Sequence, residues 1–238
     1  MTRSATPSTP DWPARFADLA YQTHNERLRS FYEAGVVSGQ TPMQDVPMVA
    51  LDFETTGLDP RRHGILSIGL VPFSLRRIYC GRARHWLVNP RRPLEDESVT
   101  IHGITHSDVD EAPDIVEVLS QVLESLAGKV VVVHYRAIER RFFDVALRPR
   151  LNEGIEFPVI DTMDLEARRH RTARGRWLTW LKGGQQKSIR LADSRARYRL
   201  PHYPPHHAMT DALATAELLQ AQVAYHYTPE TPVSELWV

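Results

Sequence analysis

The stretch VPMVALDFETTGLDP, residues 46–60, decides how the rest of this chain is read. Its first half is apolar enough for a buried strand, yet Asp52 and Glu54 stand inside it. Side chains two apart on a strand share a face, so the two carboxylates project together, with Val49 and Leu51 as apolar neighbours. Two like charges held close are unfavourable unless a proton or a cation joins them, and oxygen ligands of this kind suit Mg²⁺ or Mn²⁺. The plain alternative is a strand end at the surface with both acids solvated. The small-residue turn that follows, TTG, would let a ligand's backbone come close.

Around this strand the chain reads as α/β. GILSIGLVPFSL and RIYCGRARHWLV suggest two further strands, which with the first make an antiparallel meander. IVEVLSQVLESLAG has the spacing of an amphipathic helix that stops at Gly128. KVVVVH and FPVIDT read as buried strands, residues 137–148 as a helix, and HHAMTDALATAELLQAQVAYH as a long helix. The order βββαβαβα predicts a layered α/β protein with a mixed sheet. Ahead of it, residues 1–13 are rich in Ser, Thr and Pro, and ARFADLAYQTHNERLRSFYEAG predicts one helical arm ending at Gly35. The division expected is an N-terminal tail and arm over 1–45, a main domain over 46–228 and a C-terminal tail over 229–238.

Bulk properties exclude more than they identify. A formal net charge of zero gives no global reason to expect nucleic acid. The single cysteine, Cys80, rules out an internal disulfide framework and a thiolate zinc site. No apolar run approaches the roughly 18 residues needed to span a bilayer, and MTRSATPSTPDWP has no signal-peptide core. The expectation is a soluble, cytoplasmic protein with no membrane partner.

A second cluster opens the last helix, where PPHHAMTDALATAELL puts His206 in the preceding loop and Asp211 in the first turns. Taken alone these are a solvated loop histidine and an acid near the positive end of a helix. Carboxylates gathered from a strand and a facing helix can instead hold two divalent ions, with a neutral histidine nearby to deprotonate water.

Together, LDFETTGLDP, IHGIT at 101–105 and H-HAMT-D resemble the histidine subtype of the DEDD superfamily of 3′-5′ exonucleases, which includes polymerase proofreading subunits. Three matches in register, from about residue 46 to 225, make the resemblance specific. It implies a ribonuclease-H-like fold with a five-stranded mixed sheet flanked by helices, here with an N-terminal helical extension. It further implies that Asp52, Glu54 and Asp211 ligate two metal ions, Mg²⁺ or Mn²⁺, and that His206 is the general base. The turn Thr55, Thr56, Gly57, Leu58, together with His102 of IHGIT, would contact the terminal nucleotide.

One motif departs from the family pattern. An aspartate is usual five residues after the histidine of the second motif, but VVVHYRAIERRFFD places Glu139 at that distance from His134. Asp144 competes, and because it lies five residues beyond Glu139 on a helix, only one of the two can face the site. Keeping the register without an insertion favours Glu139.

The activity this implies is release of nucleoside 5′-monophosphates from single-stranded 3′ ends, with DNA favoured. A histidine base must be neutral, so activity should fall on the acid side of an imidazole's ordinary value, about 6.5. Between Arg168 and Leu200, eleven Lys or Arg face the single acid Asp193, with Trp177, Trp180 and Tyr198 interleaved. This segment could track phosphates and stack bases, or be a solvated loop packed by its aromatics. Two other readings stay open: an RNA-trimming, oligoribonuclease-like enzyme, and a non-catalytic module that binds nucleic acid or a partner. The arm, 14–35, could dock on its own core, self-associate or bind a polymerase-like partner, with intramolecular packing favoured.

Overall fold

The computed structural model describes residues 9–94, 99–100, 102–171 and 188–238. Thirteen elements are numbered here in chain order among those residues: α1 (Trp12–Gln22), α2 (Glu26–Glu33), β1 (Met48–Thr55), β2 (Ile65–Phe73), β3 (Arg84–Leu87), α3 (His106–Glu111), α4 (Ile115–Leu126), β4 (Val130–Val133), α5 (Arg136–Leu151), β5 (Val159–Asp161), α6 (Thr162–Arg171), α7 (Leu191–Arg197) and α8 (Ala208–His226). The strands form one sheet in the order β3-β2-β1-β4-β5. β1 pairs antiparallel with β2 and parallel with β4, so the sheet is mixed and the acid-bearing strand is its centre. This is the ribonuclease-H-like α/β arrangement that the three motifs imply.

Burial explains why β1 is central. Met48, Val49, Ala50 and Leu51 are at most 1% exposed, and β4 is four buried valines. A short, wholly apolar strand needs cover on both faces, and helices provide it. α8 packs over β1 and β2. On the opposite face Phe143 of α5 meets Phe53 edge-on at 5.7 Å. Since successive strand residues alternate faces, Asp52 and Glu54 lie on the side covered by α8. α4 buries Ile115, Val118, Leu119, Val122, Leu123 and Leu126 at helical spacing. It starts at Asp114 through a reciprocal cap with Glu117.

α8 approaches β2 very closely at one point. Gly69 is opposite Asp52 in register, and a Cβ on it would run into the backbone of Ala208 and Met209. Only the missing side chain lets the start of α8, and with it Asp211, settle over the acidic strand.

The structure departs from the sequence reading at both ends. The expected single arm helix is two, because Asn25 turns the chain and caps α2 by accepting from Arg27 and Leu28 N–H groups at 3.1 and 3.3 Å. Trp12, Phe16, Leu28, Phe31 and Tyr32 join the main core, and Arg15 pairs with Glu156 at 2.5 Å, so the arm docks on its own domain. Residues 229–238, expected as a tail, are also packed. Val233, Leu236 and Trp237 are buried, and Val159 and Val238 exchange backbone hydrogen bonds along β5. β3 is shorter than RIYCGRARHWLV suggested, since a turn of 3₁₀ helix at Cys80–Arg82 precedes it. No helix among the described residues is long and apolar enough to cross a membrane.

Candidate active site

Three elements deliver carboxylates to one open cleft at the C-terminal end of β1. Asp52 and Glu54 come from the strand, and Glu139 comes from the first turn of α5, which starts where the parallel neighbour β4 ends. Asp211 comes from the first turn of α8. Carboxylate oxygens of Asp52, Glu54 and Asp211 lie within 4.8 Å of one another. Glu139 lines the same cleft, outside that tightest trio. It is 2% exposed, and its Oε2 is buried with no hydrogen-bond partner.

The electrostatics follow from crowding acids in a partly dry place. Burial, then the charges of Glu139, Asp211 and Glu54, push Asp52 well above the usual carboxylate range. Burial and Asp211 raise Glu54 to about 7. Glu139 is also held well above its ordinary value, mainly by burial, with Asp161 adding to the effect. Asp211 is raised by burial as well, moderated by the backbone N–H of His206 and the nearby histidines. Without a counter-charge each of the four is thus less acidic than an ordinary carboxylate, and oxygen donors crowded in this way are suited to hard divalent cations. The residues therefore fit the metal ions that the motifs imply.

His206 sits on the exposed loop before α8 at φ 69°, a left-handed conformation uncommon for a non-glycine residue. Its N–H donates to Asp211 Oδ2 at 2.8 Å, tying it to the metal-ligand candidate. His102 also lines the cleft, and burial followed by the neighbouring His206 lowers its pKa. Thr55, Thr56, Gly57 and Leu58 form one wall. Thr55 Oγ1 donates to the Gly57 carbonyl at 2.8 Å, and Thr56 exchanges bonds with Gly64. A Cβ at Gly57 would lie 2.6 Å from the His63 ring, so the turn is closed against that imidazole. Leu58 is 82% exposed at the rim.

Of the two acids competing for the second motif, Glu139 faces the cleft. Asp144 points away and pairs with Arg148 at 2.7 Å on the same helix. His134 also lines the cleft, half-buried, with its ring nitrogens on Thr162 Oγ1 at 2.8 Å and the Ile189 carbonyl at 3.0 Å, and burial lowers its pKa to about 4.

Sequence reading missed Asp161. Its carboxylate is 4% exposed and accepts from the N–H groups of Tyr135, Arg136 and Met163, each at 3.0 Å. Tyr135, at φ 93°, offers no side-chain cap to α5, so Asp161 closes the helix start from the neighbouring strand and fixes the turn bearing Glu139. The one signal in the sequence was an acid ending an apolar strand, which reads equally well as a solvated strand end.

The basic segment, left open above, is described at residues 168–171 and 188–200, and there several of its groups are engaged within the fold. Arg195 is 4% exposed and bonds Glu217 at 2.7 Å, Arg197 bonds Glu166 at 2.8 Å, and Tyr198 is buried with its hydroxyl donating to Glu166 at 2.6 Å. These groups brace α6, α7 and α8 and are not free for phosphates. Trp177 and Trp180 lie outside the described residues.

Known proteins share this architecture. The family model described as Exonuclease matches residues 49–219. A "DNA polymerase III subunit epsilon-like protein" of Rhodobacter capsulatus is 33% identical over 181 residues, 75% of this chain and 24% of that protein. "DNA polymerase III PolC-type" of Thermotoga maritima is 33% identical over 129 residues, 54% of this chain and 9% of that protein. The chain thus spans 24% or less of these two relatives' lengths. Among solved structures, the nuclease domain of 3′hExo, described as a DEDDh family member bound to rAMP, superposes with a TM-score of 0.61 at 17% identity, covering 76% of this chain and 92% of that one. Exonuclease X in complex with 5′ overhanging duplex DNA gives 0.56 at 25% identity, covering 79% and 98%.

Proposed function

This chain belongs to the exonuclease family, and from that premise we propose that it is a 3′-5′ exonuclease of the DEDD type that releases nucleoside 5′-monophosphates one at a time from single-stranded 3′ ends, DNA in preference to RNA. The observation that supports this most directly is the convergence of Asp52, Glu54 and Asp211 oxygens within 4.8 Å beside a loop histidine.

In this reading Asp52, Glu54, Asp211 and Glu139 would hold two divalent cations, Mg²⁺ or Mn²⁺. When bound, such cations supply an acidified water and neutralise the charge that develops on the phosphate. The residues do the rest. Asp52 and Glu54 are fixed by the central strand of the sheet, whose first four residues are buried, so the donor set is preorganised. Glu139 is one methylene longer than the family's usual aspartate and reaches the cleft from a helix start held by Asp161. His206 takes the proton of the attacking water on an imidazole nitrogen, and its backbone bond to Asp211 keeps the loop in reach. The turn Thr55–Leu58 and His102 receive the terminal nucleotide, with exposed Leu58 placed to lie against its base. A polymerase-like partner, suggested by the relatives' names, would meet the outer face of the arm, where Tyr21 is 92% exposed.

Mass analysis of products from DNA and RNA strands of one sequence, with either cation, tests the reading. 5′-monophosphates accumulating faster from DNA support it. Faster release from RNA would reverse the substrate preference, and products carrying a 3′ phosphate would refute the mechanism.

A further inference from the structure

From Pro60 to Leu94 the chain has no Asp or Glu but eight arginines, at 61, 62, 76, 77, 82, 84, 91 and 92. Arg91 is paired with Asp114. Arg76, Arg77, Arg82 and Arg84 are exposed around the turn between β2 and β3, and none forms an ion pair among the described residues. The guanidinium carbons of Arg77 and Arg82 lie 5.5 and 5.3 Å from the Tyr79 ring centroid. Like charges gathered without a carboxylate are unfavourable unless a polyanion is their partner.

Their position gives this charge a direction. Across the sheet, Asp52 is in register with Gly69, and Gly69 with His85 on the edge strand β3. Paired residues share a face, so His85 stands about 10 Å from the catalytic acid on the same side of the sheet. There it stacks at 4.8 Å on His207, the neighbour of His206. Farther along, the base of the arginine turn is tied to α8, where Gln220 donates to the Ser74 carbonyl at 2.8 Å. Twelve residues separate Ala208 from Gln220, so the turn lies about 18 Å from the catalytic end of the helix. A strand advancing at least about 3.4 Å per phosphate spans that gap with about six nucleotides or fewer.

We propose that the β3 edge and the arginine turn dock the upstream phosphates of a single-stranded substrate whose 3′ end occupies the cleft, with His85 and His207 as the stacking step between them. This rests on the exonuclease reading and adds the path of the strand. Exposed arginines flanking an aromatic ring suit an unpaired strand, where charge holds phosphates and rings hold bases.

The test compares the wild-type protein with Arg76→Gln/Arg77→Gln/Arg82→Gln and with the corresponding Lys triple variant, each verified by its melting curve. Binding of labelled oligothymidylates of 3 and 12 nucleotides is followed by anisotropy in EDTA. The Gln variant should bind the 12-mer roughly tenfold more weakly, with the salt slope reduced by about two, while the 3-mer is unaffected and the Lys variant retains 12-mer binding. An unchanged 12-mer affinity and slope, or equal weakening of both lengths, overturns the proposal. These readouts need no turnover. Hydrolysis of thymidine 5′-monophosphate p-nitrophenyl ester by the wild-type protein separately decides the exonuclease reading, and the Gln variant should hydrolyse that ester at the wild-type rate.

Discussion

Gly69→Ala places one methyl group between β2 and the start of α8. The new Cβ would overlap the Ala208 carbonyl group and the Met209 nitrogen, which are backbone atoms and cannot rotate aside. Restoring ordinary carbon contact, about 3.5 Å, requires α8 to lift by on the order of 1 Å. Overpacking of this kind costs about 1–3 kcal/mol of stability. The larger effect is local, because Asp211 rides on the first turn of α8 and its oxygens must stay within reach of Asp52 and Glu54. A displacement of about 1 Å at a reacting centre is worth about 100-fold in rate. Turnover on a labelled strand, Mn²⁺ affinity by calorimetry and melting should all fall together. Gly81→Ala, whose new Cβ would meet nothing within 4 Å, should leave all three unchanged. A Gly69→Ala protein with wild-type turnover and wild-type metal affinity would refute the link between this glycine and the site.

The remaining predictions concern charge and position. Glu54 is raised to about 7 from its ordinary 4.5, so in the metal-free protein its ionisation is a penalty absent below about 4.5 and complete above about 7, worth about 3 kcal/mol. Melting in EDTA should therefore fall from pH 5 to pH 8 and Mg²⁺ should restore it mainly at pH 8; a metal-free melting temperature that rises over this range would contradict the assigned burial. Asp161→Ala strips the acceptor from the Tyr135 and Arg136 N–H groups and should cost about 3 kcal/mol in urea unfolding, with weakened Mn²⁺ binding. Retained metal affinity would show that Asp161 acts on stability alone. Glu139→Gln should lower turnover by about 100-fold, whereas Asp144→Ala, which removes only a surface pair with Arg148, should stay within about twofold. The reverse ranking would assign the second-motif role to Asp144.

How much was legible beforehand depended on how local each signal is. The pairing of Asp52 with Glu54 needs only the two-residue period of a strand, and the long helix of Asp211 needs only its 3.6-residue pattern, so both could be read directly. Glu139 followed from register within one motif. Asp161 was missed because its partners are backbone N–H groups 25 and 26 residues away, brought near by the parallel pairing of β4 with β5. Arg195 and Arg197 looked like free charge because Glu217 and Glu166 lie 22 and 31 residues off in sequence. The arginines after β2 were passed over as part of a strand. The arm divided at Asn25 because its side-chain cap competes with continuing the helix.

The central claim is that the carboxylates of β1 exist to hold cations that hydrolyse 3′ ends. The most direct test is mononucleotide release from a 3′-labelled single strand, with Mg²⁺ or Mn²⁺, comparing the intact protein with Asp52→Ala. The account predicts cation-dependent release by the intact protein and its loss in the variant. Equal release by both proteins, or none from the intact protein on DNA or RNA with either cation, would contradict it.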